Sequence, residues 1–189
     1  MKKAALLLAL PLLSSIAGNA LAADKSGFYA GAGIGHGKMT LKTDGGDLDS
    51  NNTRVNIHGG YRFNNYIGTE IAYEDIGEFH QSNGSYTAQL LSRNLSAAAV
   101  GYLPLSNRFE LYGKAGLALV QNTTKGEYKG EPDYRDTSED VAVFAALGSN
   151  FALTQQVDLF AEARFMYAEP EDQLKAYDTS MTVGARYRF

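Results

Sequence analysis

The sequence predicts an all-β protein, an up-and-down antiparallel barrel of eight strands that crosses a membrane. Three observations lead to this prediction. Stretches of about ten residues alternate between apolar and polar side chains, as strands with two unlike faces do. The polar faces carry charges that would be costly against lipid. The connections between the stretches alternate between long and short, which is typical of consecutive hairpins in a transmembrane barrel.

Residues 1–22 have the layout of a secretory signal peptide. Lys2 and Lys3 precede an apolar run from Ala4 to Leu13, and Ala20-Leu21-Ala22 supplies a cleavage site of the A-x-A type. A membrane anchor is the alternative, but the apolar run is well short of the ~20 residues that a spanning helix needs. We therefore predict a cleavable signal peptide at 1–22 and a single barrel domain at 23–189.

Composition excludes several classes of function. The chain has 17 Lys and Arg against 21 Asp and Glu, a formal net charge of -4, and loss of Lys2 and Lys3 leaves 15 against 21, or -6. An acidic exported chain is not expected to bind nucleic acid. Because the chain contains no cysteine, disulfides, thiolate metal sites and thiol chemistry are excluded. The sequence indicates no cofactor and no metal.

The first three strands place apolar residues on one face and small or charged residues on the other. The outward residues are Phe28, Ala30, Ala32 and Ile34, then Val55, Ile57, Tyr61 and Phe63, then Ile67, Thr69, Ile71 and Tyr73. The inward residues are Tyr29, Gly31, Gly33, Gly35 and Gly37, then Arg54, His58 and Arg62, then Glu70 and Glu74. A nearly all-glycine inner face on the first strand leaves room for a bulky group opposite.

The fourth strand, within Ala88 to Tyr102, fits the pattern poorly. If Val100 and Tyr102 face lipid, the same alternation turns Asn94 and Ser96 toward lipid as well. We therefore expect a bulge near Ala97 to Ala99 that resets the register.

The last four strands, at about 109–120, 141–151, 157–167 and 181–189, restore the alternation. Their inward charges include Lys114, Glu162, Arg164 and Arg186. Aromatic residues gather at both strand ends, which predicts two girdles at the membrane interfaces. The girdle at the short-turn end includes Phe28, Tyr61, Phe63, Tyr102, Phe109, Phe151, Tyr187 and Phe189, and the one near the long loops includes Tyr73, Tyr86, Phe165 and Tyr167. The chain ends on an alternating strand, and we predict that Tyr187 and Phe189 form the C-terminal insertion signal read by the barrel-assembly machinery.

Four polar segments, at 42–53, 77–86, 121–140 and 168–179, are predicted to be external loops. Short turns are predicted at Asn64-Asn65, 103–108 and 154–156. A soluble barrel shares this topology, but its outward faces are polar and its inward faces apolar. Here the charged faces cannot be outward, because Lys or Arg at mid-bilayer costs about 2–4 kcal/mol.

Four segments also resemble a known family. IGTEIAY (67–73), AVGYLPL (99–105), ELYGKAG (110–116) and the terminal ARYRF look like the OmpA-like eight-stranded outer-membrane barrels, and the size is similar to the OmpX and Ail group. The resemblance implies periplasmic turns, mobile external loops and, in some members, adhesion or narrow-pore behaviour. It places Glu70 at the family's inward glutamate and Lys114 at an inward arginine. The family's strand-four lysine falls on Ala99 and its strand-six glutamate on Asn150, and no periplasmic peptidoglycan-binding domain is expected.

The inward charges are the candidate functional site. Eight strands enclose an interior just filled by side chains, so charges inside must be paired. We predict a lumen ion network in which Glu70 and Glu162 pair with Arg62, Lys114, Arg164 and Arg186. The network is either a gated ion path or a plug that holds the barrel in register, and we favour the plug.

Other candidate sites are weaker. His80-Gln81-Ser82-Asn83 is similar to the His-x-Ser-Asn of lipid A deacylase barrels, but no acid follows at a matching spacing, so no enzyme is predicted. His36 and His58 are expected inside the lumen as hydrogen-bonding groups rather than as metal ligands. Asp44, Asp47 and Asp49 are expected in a solvated loop, with cation bridging to lipopolysaccharide as the alternative.

Taken with the resemblance, these features predict a monomeric outer-membrane barrel with a structural or surface-interaction role, in adhesion, host contact or envelope integrity, through four external loops. The alternative is a narrow ion or small-solute channel, and a lipid A-modifying enzyme comes third. The expected partners are outer-membrane lipids and lipopolysaccharide, the barrel-assembly machinery and, through the loops, host or cell-surface ligands.

Overall fold

The computed structural model describes residues 25–43, 46–83, 86–128, 134–171 and 174–189, and within these ranges every regular element is a β-strand. The strands are β1 Gly27–Thr43, β2 Gly46–Arg62, β3 Ile67–Asn83, β4 Tyr86–Pro104, β5 Phe109–Tyr128, β6 Tyr134–Ala152, β7 Val157–Glu171 and β8 Leu174–Arg188. In these ranges the structure contains no helix long and apolar enough to cross a membrane. The predicted signal peptide, residues 1–22, lies outside the described residues.

The eight strands form a closed barrel in sequence order, each antiparallel to the next. β1 also pairs with β8, from Tyr29 opposite Arg188 to Lys42 opposite Lys175. Beyond this ladder the amide of Phe189 donates to the carbonyl of Phe28 at 3.0 Å. The predicted fold class is therefore confirmed.

The wall of the barrel has apolar residues outside and polar residues inside. Leu147 and Met181 are more than two-thirds exposed, at 74% and 72%, whereas Glu70 and Arg186 are 5% and 3% exposed. An outer surface with so many large apolar side chains far exceeds the patches found on soluble monomers. The inverted polarity and the predicted faces of β1, β2, β3, β5, β7 and β8 are thus confirmed.

The expectation for β4 was wrong. Val100 and Tyr102 are buried inside with Asn94 and Ser96, while Leu95 is outward. The register of β4 with both neighbours is unbroken across Ala97 to Ala99, so no bulge lies there. The lumen accepts Tyr102 because its ring lies 3.9 Å from the guanidinium of Arg62, and its hydroxyl donates to that of Tyr29 at 3.3 Å.

Aromatic residues surround the barrel at two levels. At the short-turn end, Phe28 contacts Tyr61 and Tyr61 contacts Phe63, with ring centres 4.7 and 5.3 Å apart. At the other end, Tyr177 contacts Phe165 and Tyr167, at 6.2 and 5.2 Å. Tyr102, which sequence reasoning placed in the first girdle, is inside the lumen instead, and the side chain of Tyr86 lies outside the described residues.

The three short turns, at 63–66, 105–108 and 153–156, are built in the same way. In each, a short polar side chain accepts backbone N–H groups two and three residues ahead, which closes the turn locally. Asn64 accepts from the amides of Tyr66 and Ile67, Ser106 from those of Arg108 and Phe109, and Thr154 from those of Gln156 and Val157. The predicted turn positions are confirmed.

The four polar segments predicted as loops are mostly strand. β1 pairs with β2 as far as Thr43 opposite Gly46, β3 with β4 as far as Asn83 opposite Tyr86, and β5 with β6 as far as Gly126 opposite Tyr134. Two hairpin strands hydrogen-bond equally well when both faces are in water. Beyond the membrane, therefore, polar composition no longer distinguishes a strand from a loop.

Two ladders end early and divide this end of the barrel into two leaves. The last β2–β3 pair is Val55 with Asp75, beside a register shift between Asp75 and Gly77 in β3. The last β6–β7 pair is Ala142 with Ala168, beside a register shift between Ala168 and Glu171 in β7. Because bulges bend a strand and end its pairing, the strands separate into a first leaf, β7–β8–β1–β2, and a second leaf, β3–β4–β5–β6.

Candidate functional site: the charged interior of the barrel

Most inward charges among the described residues form three clusters along the barrel axis. We name them the lower cluster (Lys25, Arg62, Glu110 and Asn150), the middle cluster (Glu70, Lys114, Glu162 and Arg186) and the upper cluster (Arg54, Glu74, Asn94, Arg164 and Asp178). The lower cluster is nearest the short turns. The middle and upper clusters each combine at least four strands, and the lower cluster combines three strands with Lys25 before β1, because inward residues at one height come from different strands.

Lys114 is the centre of the middle cluster. Its ammonium donates to Glu70 Oε1 at 2.6 Å and lies 2.6 Å from Glu162 Oε2. Each carboxylate also accepts a tyrosine hydroxyl, Tyr29 on Glu70 at 3.0 Å and Tyr112 on Glu162 at 2.9 Å. One cation thus joins carboxylates from β3 and β7, and each carboxylate is held from a second direction.

Arg186 enters the same cluster from β8. Its guanidinium lies 3.6 Å from Glu70 Oε2 and is surrounded by aromatic faces, with the ring centre of Tyr29 at 4.4 Å, Tyr112 at 5.6 Å and Phe160 at 5.9 Å. Ring faces attract a buried cation electrostatically. This arrangement also links β8 to side chains of β1, β5 and β7.

The upper cluster depends on the fork of Arg54. Both terminal nitrogens of Arg54 donate to Asp178, and Nη1 also donates to Glu74 at 3.2 Å. Arg164 donates to the other oxygen of Glu74 at 2.6 Å and to Asn94 at 3.3 Å. The remaining side of the lumen at this height is apolar, with Ala118, Val120, Ala142, Phe144 and Met166 packed together.

Glycines on β1 make room for these side chains. A Cβ at Gly37 would collide with the guanidinium of Arg54, and one at Gly31 would come within 2.7 Å of the His58 ring. The glycine-rich inner face therefore accommodates bulky groups from β2, as the sequence indicated.

The lower cluster closes the short-turn end around Glu110. This carboxylate accepts from Arg62 at 2.9 Å, from Asn150 at 2.9 Å and from Lys25 at 3.1 Å. Arg62 also donates to the carbonyls of Asn64 and Asn65, at 3.0 and 2.6 Å. Lys25 precedes β1, so the chain segment before the barrel contributes a charge to this end of the lumen.

The six predicted network residues lie in all three clusters. Glu70, Lys114, Glu162 and Arg186 meet in the middle cluster, whereas Arg164 pairs with Glu74 above it and Arg62 with Glu110 below it. Sequence reasoning did not assign Lys25, Arg54, Glu74, Glu110 or Asp178 to the network. The inward parity of Arg54, Glu74 and Glu110 was a signal that could have found three of these.

The structure also locates the two positions at which the resemblance puts the family's strand-four lysine and strand-six glutamate. Ala99 is exposed on the outer face, so it cannot take the part of an inward lysine, whereas Asn150 is buried and donates to Glu110. Tyr187 and Phe189 pack together on the outer face, with ring centres 5.2 Å apart. Their role as an insertion signal remains a prediction.

The histidine expectation was partly wrong. His58 is buried and contacts Asn56 through Nδ1 at 2.9 Å, but His36 is exposed on the outside of the wall. Their parities differ, so they cannot share a metal ion, and the described residues contain no metal-ligating cluster. The side chains of Asp47, Asp49 and His80 to Asn83, and all of Asp44, lie outside the described residues; the backbone at 80–83 belongs to β3 rather than to the predicted loop.

Comparison with known proteins gives a consistent result. Residues 6–189 match the family model described as the outer membrane protein beta-barrel domain. The chain is 28% identical over 207 residues to Outer membrane protein A of Salmonella typhi, covering 100% of this chain and 56% of that protein. It is 26% identical over 206 residues to the Shigella flexneri protein of the same name, with the same coverage. The chain thus spans about half the length of these curated relatives.

Two solved structures have a similar fold. Neisserial surface protein A has a TM-score of 0.67 at 22% identity, covering 88% of this chain and 99% of that one. Ail, the attachment invasion locus protein of Yersinia pestis in complex with the heparin analogue sucrose octasulfate, has a TM-score of 0.59 at 19% identity, covering 85% and 99%.

Proposed function

Because the chain belongs to the outer membrane protein β-barrel domain family, we propose that this outer-membrane protein binds a partner outside the cell through the open edges of its two leaves. Barrels of this class turn their short connections toward the periplasm, which places both leaves at the cell surface. The observation that carries the proposal is the early end of the β2–β3 and β6–β7 ladders.

The leaves present strand edges to water. Beyond the last β2–β3 pair lie residues 46–54 of β2 and 76–83 of β3, and beyond the last β6–β7 pair lie residues 134–141 of β6. An edge without a neighbouring strand offers a row of backbone donors and acceptors to another chain. Extended peptides bind such edges by adding a strand.

The β6–β7 seam has features that keep its two edges apart. Pro170 would stand opposite Asp140 if the β6–β7 register continued, and proline has no N–H to give to a ladder. In the same continued register Glu139 on β6 would stand opposite Glu171 on β7, and like charges in opposed positions are unfavourable. The edges are therefore available to a partner instead of to one another.

The interior supports a binding role over a pore. Lys114 joins two carboxylates in the middle of the lumen, and the lower cluster has three donors on Glu110. Moving any of these charges leaves another unpaired in a medium of low dielectric constant, which costs several kcal/mol. We propose that the clusters act as a plug that holds the strands in register.

The comparison with Ail suggests a class of assay. That protein is described as an attachment invasion locus protein, and we extend attachment to this chain as a proposal. The chain would be displayed on a non-adherent laboratory strain, and its adhesion to epithelial monolayers would be counted against the same strain without it.

Single prolines on β6 test whether a sheet edge is the binding surface. Successive residues of a strand point their N–H groups to opposite sides, so Thr137 and Glu139 share one direction and Ser138 has the other. Proline at a residue whose N–H points to the open edge of β6 should abolish adhesion and leave the melting temperature unchanged. Proline at a residue whose N–H points to β5 should destabilise the hairpin, because it removes a hydrogen bond of the β5–β6 ladder. Adhesion that persists in all three variants would contradict edge binding.

Conductance separates the plug from the alternative of a narrow channel. We expect single-channel recordings of the purified barrel to show no steady conductance. A steady conductance that shifts in the Lys114→Ala variant would contradict the plug and favour an ion path through the middle cluster.

A further inference from the structure

A groove crosses the outer face of the barrel over β6, β7, β8 and β1, and its volume is about 560 Å³. The short side chains of Ala145 and Ala163 form its floor, and the larger exposed side chains of Leu147, Phe165 and Met181 border it. In the register Ala145 stands opposite Phe165, and Ala163 stands between Leu147 and Met181. The groove is therefore apolar and open to the membrane.

One end of the groove is basic. His36 and Lys38 line it on β1 and are both exposed on the outer face. They stand opposite Met181 and Thr179 of β8, and the hydroxyl of Thr179 donates to the carbonyl of Lys38 at 3.5 Å. A cation beside an apolar groove is the combination that a phosphorylated lipid requires.

The height of these residues matches the outer membrane interface. His36 lies eight residues beyond the girdle residue Phe28 on β1, which at ~3.3 Å per residue and a tilt of ~40° is roughly 20 Å. Lys38 is about 25 Å above Phe28 by the same estimate, and the apolar band of such barrels is ~25 Å tall. Lys38 therefore lies at the headgroups of the outer leaflet, with the groove below it at acyl-chain depth.

We propose that this groove is a binding site for lipid A, in which Lys38 and His36 contact a phosphate of the glycolipid and the apolar groove holds an acyl chain. An ammonium and a phosphate form a charge-assisted contact that is stronger near a membrane than in bulk water. This site is on the wall of the barrel and is independent of the edges of the leaves.

A second groove on the same barrel serves as an internal comparison. It is larger, about 750 Å³, and lies near the short turns, bordered by Phe28, Tyr61, Ile71 and Phe189. Its lining contains no Lys, Arg or His among the described residues. It offers acyl chains an apolar surface but gives a phosphate no cation, so we assign the lipid A site to the first groove alone.

Native mass spectrometry with bis-phosphorylated lipid A tests the assignment. The purified barrel in detergent should retain one lipid A, and retention should fall about fivefold in Lys38→Ala, which is the effect of one cation near a charged membrane surface. Ala163→Phe fills the groove and should also reduce retention. Dephosphorylated lipid A should be retained no better by the wild-type barrel than by Lys38→Ala.

Two control variants are matched to these changes. Arg93→Ala removes an exposed cation from β4, and Ala97→Phe adds an aromatic ring to the exposed face of the same strand; both should retain lipid A as the wild type does. Equal losses of lipid A retention in the controls would show that lipid A binds only as general annular lipid, and this would overturn the proposed site. Unchanged retention in Lys38→Ala or Ala163→Phe would overturn it as well, and so would equal retention of the dephosphorylated lipid.

Discussion

At membrane level each of the eight strands pairs with both of its neighbours, and we call this part of the barrel the ring. The ring and the two leaves above it are built from the same strands, but different forces hold them together. In the ring, side chains from strands distant in sequence meet at single carboxylates or cations, as at Lys114 and Glu110. In the leaves, neighbouring strands pair along their backbones while two seams remain open. We propose that side chains inside the lumen keep the barrel closed at membrane level and that the open edges of the leaves make contacts outside the cell.

The largest effect is expected from Lys114→Met, which removes the central cation of the ring. Glu70 and Glu162 would then face each other across the lumen without the ammonium that joins them. Removing one partner of a buried ion pair typically costs about 3–5 kcal/mol. Urea unfolding of the refolded barrel in detergent should show a loss of this size.

Arg93→Met is the matched control for Lys114→Met. Arg93 is an exposed cation on β4, above the ring, and its loss should change the free energy of unfolding by less than about 0.5 kcal/mol. Equal unfolding midpoints for the two variants would contradict the view that the middle cluster holds the ring closed.

Gly37→Ala tests the junction between the ring and the first leaf. Its new Cβ would collide with the guanidinium of Arg54 and move it away from Asp178 and Glu74. Overpacking at a tight site costs about 1–3 kcal/mol, and thermal unfolding in detergent would measure the loss. Gly101→Ala is the control, because a Cβ there has open space around it; destabilisation of equal size in both variants would show that the loss does not come from the Arg54 site.

Much of the ring could be predicted from sequence because each strand in it separates two different solvents. Lipid outside and a polar lumen inside impose an alternation that identifies inward Glu70, Lys114 and Arg186 from parity alone. Parity cannot say which inward charge pairs with which, because that depends on stagger between strands. Arg62 and Arg164 were therefore assigned to one network although they lie below and above the middle cluster.

The prediction failed where the polarity of a residue does not indicate whether its side chain faces outward or into the lumen. Tyr102 and Val100 are apolar yet inward, because an aromatic ring stacks on Arg62 as well as it contacts lipid. In the leaves both faces meet water, so the sequence of β5 and β6 beyond the ring was interpreted as a loop although it is paired. The positions at which the β2–β3 and β6–β7 ladders end depend on how two strands pair, so the sequence of one strand does not reveal them.

The smallest effect is expected at the seams, where Pro170→Val supplies the missing amide on β7. The β6–β7 ladder should then extend toward Asp140, and each hydrogen bond gained adds roughly 0.5–1.5 kcal/mol of local stability. Amide hydrogen exchange at 137–140 should slow accordingly, while global unfolding stays unchanged. Pro104→Val, at the opposite end of β4, should leave these amides unaffected. If exchange at 137–140 does not slow, the proline is not what opens the seam. The opposed acids Glu139 and Glu171 would then be the cause, and neutralising one of them should close the seam.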